Sequence, residues 1–270
     1  MQGDFFKLVR IVTVSIFVIG ALSVVDVGLL HAQQPPDVPT IRASRLTSSE
    51  RLVLDGRLDE QFWTRTQVAD SFLQQDPIEG GQPTENTEVR VVYDADNLYI
   101  GAVMHDTDPA GILGYQRQRD QSLDSDDRFM LILDTFLDGR TAYFFETNPA
   151  GLMGDGLVHN TGYTSINRAW DGIWEAQTRR SDVGWSVEMR IPFRTLNFDE
   201  TSDVWGVNFQ RTVRRKNEEI IWSGSRRNQG LLRPIHAGRL TGLRNVTQGL
   251  GLEVVPYGAA SWRKQLGTST

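Results

Sequence analysis

WDGIWEAQTRRSDVGWSVEMRIPF, Trp170 to Phe193, holds a turn, two strands of readable phase and three tryptophans. From Trp185 to Ile191 the odd positions (Trp185, Val187, Met189, Ile191) are apolar. The even ones (Ser186, Glu188, Arg190) are polar, which is the pattern of a half-buried strand. Ile173 to Arg180 reads as its partner, and Ser181, Asp182 and Gly184 supply the residues of a tight hairpin connection. Trp185 and Trp174 share strand phase with apolar neighbours and are expected in a core. Trp170 precedes the strand and is expected in a loop.

The same pattern extends outward in both directions. Val89–Tyr93 and Leu98–His105 form a hairpin across Asp94-Ala95-Asp96-Asn97. Phe129–Leu133 is apolar on both faces, which suits a central strand covered on each side, and Ala142–Asn148 pairs with it across Asp138-Gly139. Leu52–Trp63 reads as a short strand, a turn at Asp55-Gly56 and one helical turn that Asp59 can cap. Pro192–Leu196 reads as a brief helical turn and Trp205–Val213 as a long strand, with Trp63 and Trp205 as further core residues. Gly238–Leu243 is the last strand of the domain. Short strands at this spacing, with Gly, Asn and Asp turns and no long helix, predict an all-β fold, a two-sheet antiparallel β-sandwich of jelly-roll type with short helical turns.

The 270 residues are 39% hydrophobic, enough for a large core, and the formal charge of −6 argues against nucleic acid as a partner. Arg211, Arg214, Arg215 and Lys216 form a local basic cluster, but Glu218 and Glu219 follow, and a solvated strand end is expected. The absence of cysteine excludes disulfides and thiolate chemistry. Lys7 and Arg10 ahead of the apolar run Ile11–Leu22, with Ala32 at the cleavage position, predict a signal peptide over residues 1–32, hence an exported protein of the periplasm or outer membrane. Residues 33–40 form a proline-rich linker, and a domain follows over 41–245. Leu252–Ala260 begins another strand, so residues 246–270 are expected to open a further β domain.

Several motifs, in order, carry a family likeness: LDGRLDEQFW (54–63), TEVRVVYDADNLYIGAVMHDTDP (87–109), DSDDRFMLILDTFLDGRTAYFFETNPAG (124–151), WDGIWEAQ (170–177), GWSVEMRIPF (184–193) and VWGVNFQRTVRR (204–215). Their succession resembles the carbohydrate-binding family 9-like domain. The likeness is greatest to the form at the front of exported bacterial proteins whose remainder looks like an outer-membrane β-barrel. The resemblance implies a β-sandwich, oligosaccharide or polysaccharide binding, an envelope location and structural calcium. It also implies that residues 246–270 begin the barrel.

Sugar rings pack their C–H faces on aromatic planes and need polar partners for their hydroxyls. Trp170, with Asp171, Tyr163, Asn160 and Arg168 around it, is the candidate sugar-binding set, and Trp174 is a further candidate although its phase favours the core. Asp124, Asp126 and Asp127, with Asp120 before them, and Asp106 with Asp108 are oxygen-rich loops of the kind calcium uses. Turn and cap chemistry with Arg117, Arg119 or Arg128 as counter-ions also accounts for them and is slightly favoured, and both readings stay open. The histidines show no metal-ligand spacing, and no nucleophile or phosphate-loop motif is present. Glu146 and Glu188, a conceivable glycosidase pair, lie in outward strand phase and read as solvated or ion-paired surface. The leading expectation is a non-catalytic carbohydrate-binding module. Its alternatives are a haem-binding redox sandwich using Met104, His105 or His159, and a plug or docking domain for a barrel; no haem is expected, because Met104 is in phase with core residues.

Overall fold

The computed structural model describes residues 38–160 and 164–248. The expected signal peptide, Tyr163 and the strand from Leu252 lie outside the described residues. In chain order the strands are β1 (Thr40–Arg42), β2 (Ser44–Arg45), β3 (Val68–Ala69), β4 (Leu73–Asp76), β5 (Thr87–Tyr93), β6 (Asn97–His105), β7 (Arg128–Asp134) and β8 (Thr141–Thr147). They continue as β9 (Met153–Asn160), β10 (Thr164–Asn167), β11 (Glu175–Ser181), β12 (Gly184–Pro192), β13 (Val204–Val213), β14 (Glu218–Ile221) and β15 (Gly238–Thr241). The α-helix α1 is one turn, Gln61–Arg65, and the expected turn after Pro192 is a 3-10 turn at Phe193–Thr195.

These strands form two sheets. The larger runs β1-β15-β13-β7-β8-β9-β10 with β14 attached to β13 and β4 to β14, and the smaller runs β11-β12-β6-β5-β2 with β3 on β5. The predicted hairpins β5–β6, β7–β8 and β11–β12 are present as antiparallel pairs. Two edges depart from a purely antiparallel scheme. β1 lies parallel to β15, and β2 lies parallel to β5. The residues between Thr40 and Arg45 therefore cross from one sheet to the other, and Ile41 enters the core on the way.

Alternation explains the core. Phe129, Leu131 and Leu133 of β7, Tyr143 and Phe145 of β8, and Trp205, Val207 and Phe209 of β13 point inward, where they meet Leu98, Ile100, Val187 and Ile191 of the smaller sheet. Trp185, Trp205 and Trp174 lie in this cluster as their phase predicted, and Trp222 joins them. Met104 is fully buried there, packed as its phase required. Each sheet also has a covered outer face. On the smaller sheet Phe62, Trp63 and Leu46 pack over Val92 and Tyr99, so Trp63 is core but outside the sandwich interior. On the larger sheet Leu231 and Ala237 pack over Met130, Ile132 and Phe144, which confirms that β7 is covered on both sides.

Three local expectations need correction. No strand forms over Leu52–Leu54, and α1 begins after Glu60 without a side-chain cap, because the Glu60 carboxylate instead accepts the Val53 amide at 2.9 Å. Glu188 is not surface. It is fully buried on the outer face of β12, where its Oε2 accepts the amides of Asp55 and Gly56 at 3.0 Å each, and its Oε1 accepts the Trp63 indole N–H at 3.1 Å. The Asp55-Gly56 turn thus has a buried anchor, and Gly56 (φ +81°) leaves no room for a side chain, since a Cβ would lie 2.9 Å from the Thr178 carbonyl carbon. The basic cluster at the end of β13 is not a solvated strand end. Arg211 is fully buried, donating to the Asn86 carbonyl at 3.0 Å and facing Asp106 at 3.6 Å. Arg215 bridges Asp106 and Glu85, and Lys216 pairs with Glu85.

Candidate functional site

A groove of about 490 Å³ lies on the outer face of the larger sheet. Register builds it. Glu146, Met130, Gln210 and Ile221 form one row across β8, β7, β13 and β14, and Arg128, Thr212, Glu219 and Asp76 form the next across β7, β13, β14 and β4. Because side chains alternate, the face opposite the core carries Phe144 and Glu146 together. The segment after β14, with Arg227, Leu231, Leu232 and Arg233, covers part of this face and forms the groove's wall.

A glycine opens the space at the β9 side. Gly154 pairs with Glu146, and a Cβ there would meet the Glu146 Cγ at 2.9 Å. With no side chain in the way, the Glu146 carboxylate lies almost fully buried and accepts from Arg168 Nη1 at 2.6 Å. The Arg168 guanidinium stands over the Phe144 ring, its Cζ 5.2 Å from the ring centroid. Across the groove Arg128 Nε donates to Thr212 Oγ1 at 3.1 Å, and its Nη2 is 3.5 Å from Glu219. Gln210 donates to the other Glu219 oxygen at 3.1 Å, and Arg227 pairs with Asp76 at 2.8 Å. The floor is apolar and the rim carries fixed donors and acceptors, the composition expected of a pocket for a polar small ligand.

The predicted sugar-binding residues divide among three places. Arg168 lines the groove. Trp170 does not; it is half-buried against the sandwich interior, 5.1 Å from the Tyr143 ring and 6.0 Å, edge-on, from Phe145. Asp171 is exposed beside it and pairs with Arg119 at 2.6 Å. Trp174 is core, stacked edge-on against Phe145 with its indole N–H on Asp155 at 2.7 Å. Burial raises the Asp155 carboxyl above its ordinary pKa even though Trp174, Arg119 and Gly172 offset part of that rise. Asn160 ends β9 beside its β10 partner Thr164, with its amide on the Arg140 carbonyl at 2.8 Å, and it is not among the residues that line the groove. Arg168 lies in a turn and Trp170 just after it, where a two-residue step does not preserve the face.

The acidic loops are equally dispersed. Asp126 is fully buried and accepts the Tyr115 and Gln116 amides at 2.8 and 2.9 Å and the Asn148 side-chain amide at 2.7 Å. Burial opposes the charge on Asp126, but these donors outweigh it and hold the carboxyl below its ordinary value. Asp127 accepts from Leu113 and Arg214 backbone amides, and Asp106 faces Arg211 and Arg215. Asp124 and Asp108 are exposed. The donors on Asp126 Oδ2 and on both Asp127 oxygens are N–H groups, and among the described residues no three His, Cys, Asp or Glu side chains are grouped to hold a metal. Glu146 and Glu188 sit on outer faces of different sheets, so they are not a pair across one cleft. Sequence reading missed Arg128 and Glu219 as groove residues, and it did not single out Phe144, Gln210, Arg227 or Arg233. The available signal was the opposite phase of β7 and β8, whose polar ends recur at Arg128 and Glu146.

The geometry defines a class first: a two-sheet β-sandwich whose groove lies on the outer face of one sheet. The chain belongs to the carbohydrate family 9 binding domain-like family, whose model matches residues 54–221. No curated protein matches the chain. Among solved structures, a carbohydrate binding module of family 9 from Caldicellulosiruptor kristjanssonii in complex with cellotriose is similar at 15% identity and a TM-score of 0.53, covering 81% of this chain and 100% of that one. A carbohydrate binding module of family 9 from the same organism in complex with glucose is similar at 15% identity and a TM-score of 0.53, over 75% of this chain and 95% of that one. A putative carbohydrate-binding protein from Bacteroides uniformis is similar at 11% identity and 0.56, over 76% and 99%. At these identities the likeness establishes the fold.

Proposed function

We propose that the chain is a non-catalytic carbohydrate-binding module that seats a saccharide in the groove formed by β7, β8, β13 and the segment 227–233. The observation that carries this reading is the row of guanidinium, carboxylate and amide groups over an apolar floor, since sugar hydroxyls need donors and acceptors fixed in advance while C–H faces need apolar surface. Family membership supports it, as do the cellotriose and glucose in the similar family 9 structures. In this reading Arg168 and Glu146 act as one unit that presents hydroxyl partners at the groove's edge. Trp170 is a packing residue.

Calorimetry of the chain against soluble oligosaccharides tests the reading. The expected outcome is saturable binding that weakens about tenfold or more in Glu146→Gln, which loses a charge-assisted pair. Binding should be unchanged in Trp170→Ala. Binding lost with Trp170→Ala and kept with Glu146→Gln would move the site away from the groove.

The same reading includes export with cleavage after Ala32 and attachment to an outer-membrane barrel that begins near Leu252. Its support is the basic, apolar and small-residue order of the first 32 residues and the strand-like LEVVPYGAA stretch.

A further inference from the structure

The groove's charges do not cancel. Each carboxylate lining it already has its own guanidinium: Glu146 has Arg168, Glu219 has Arg128, and Asp76 has Arg227. Arg233 lines the same groove from the covering segment, and it is exposed. Among the described residues its guanidinium has no ion pair and no hydrogen-bond partner within the protein. Three matched pairs therefore leave one cation in excess, on a chain whose formal charge is −6.

Among the described residues the groove has no open aromatic plane: Phe144 is the one aromatic side chain that lines it, only 2% exposed, and the Arg168 guanidinium covers it. Met130, Ile166, Leu231 and Leu232 supply apolar surface instead. A neutral sugar ring gains most from stacking on an exposed aromatic face. A carboxylated sugar gains from a guanidinium fork, whose planar pair of N–H donors matches the two carboxylate oxygens.

We propose that the saccharide taken by this groove is acidic, a uronate whose carboxylate is held by Arg233 while its hydroxyls meet the Arg168–Glu146 and Arg128–Glu219 pairs. This rests on the reading of the groove as a saccharide site. Arg233 is then the residue that sets specificity. The paired acids matter as well, because they hold the neighbouring guanidiniums in place and limit the excess to a single charge, so a uronate is favoured over a more densely charged polyanion.

The test is calorimetry of the chain with oligogalacturonate or oligoglucuronate, and with cello-oligosaccharide of equal length, at low and at roughly 0.3 M salt. The acidic oligosaccharide should bind about tenfold or more tightly than the neutral one at low salt, and the added salt should reduce that advantage. Arg233→Gln should lower uronate affinity about tenfold, cost the neutral ligand much less and keep the melting temperature. Arg233→Lys should recover only part of the loss, because a lysine keeps the charge without the fork. Equal binding of both ligands, or uronate binding insensitive to Arg233→Gln, overturns the acid preference and leaves the groove as a neutral-sugar site. Failure of every saccharide to bind removes the underlying reading as well.

Discussion

Glu188 shows most directly what a single side chain does here. Its phase on β12 points out of the sandwich, yet the Leu52–Trp63 segment covers it, and burial, reinforced by the nearby Glu60 charge, pushes its carboxyl up to about 7 despite the Asp55, Gly56 and Trp63 donors. The sign follows from linkage. The folded state holds the Glu188 proton up to a pH near 7, while the unfolded chain releases it near 4.5, so this contribution is fully present below pH 4.5 and is lost as pH rises to about 7. Its size is on the order of 3 kcal/mol. Glu188→Gln should therefore flatten the fall of stability between those two pH values, read from denaturant midpoints across the range; an unchanged slope would assign the effect to another group. Glu85 acts in the opposite sense. Burial raises it, but Lys216, Thr107 and Arg215 outweigh that and hold it at about 2, so its contribution is present above pH 4.5 and lost as pH falls through about 2. Trp170 illustrates a residue whose local sequence misleads. Its loop setting beside Asp171 suggested an open aromatic face, but the turn directs its ring onto Tyr143 and Phe145.

Among the elements, the β11–β12 and β7–β8 hairpins were legible from alternation and turn residues alone, because both conditions are local. Asp138-Gly139 turns where expected, with the Asp134 carboxylate accepting both of its amides at 3.1 and 2.8 Å. The short strands β1, β2, β3, β4 and β14 were not legible. Each is two to four residues long, too short for a period, and exists because a neighbouring sheet edge supplies its hydrogen bonds. The Leu52–Trp63 segment is an intermediate case: its turn and helical turn are local, but its anchoring to Glu188 is a contact across 125 to 133 positions. Gly56→Ala should cost about 1 to 3 kcal/mol, measured by thermal or denaturant unfolding, because the alanine would need a strained left-handed backbone and its Cβ would press on the Thr178 carbonyl. A neutral result would mean that the segment shifts freely over β11, contrary to a buried anchor.

For the molecule as a whole, the two sheets share one interior and each outer face has its own cover, so the described residues build three apolar clusters. The proposed export of this body has its own check: mass spectrometry of the protein recovered from a Gram-negative host should give a mature N-terminus at Gln33, and an intact Met1 would remove cleavage from the account. By itself the sequence determined the all-β class, the main strands, the tryptophan core and the family likeness, because alternation and turn chemistry are properties of neighbouring residues. Only the tertiary structure decided that Trp174 and Trp170 are packed, that Glu188 and Arg211 are buried, and that the groove forms on the outer face of the larger sheet. Those outcomes depend on which strands become neighbours and on which segment covers each face, and pairings between residues that are tens to more than a hundred positions apart leave no local pattern.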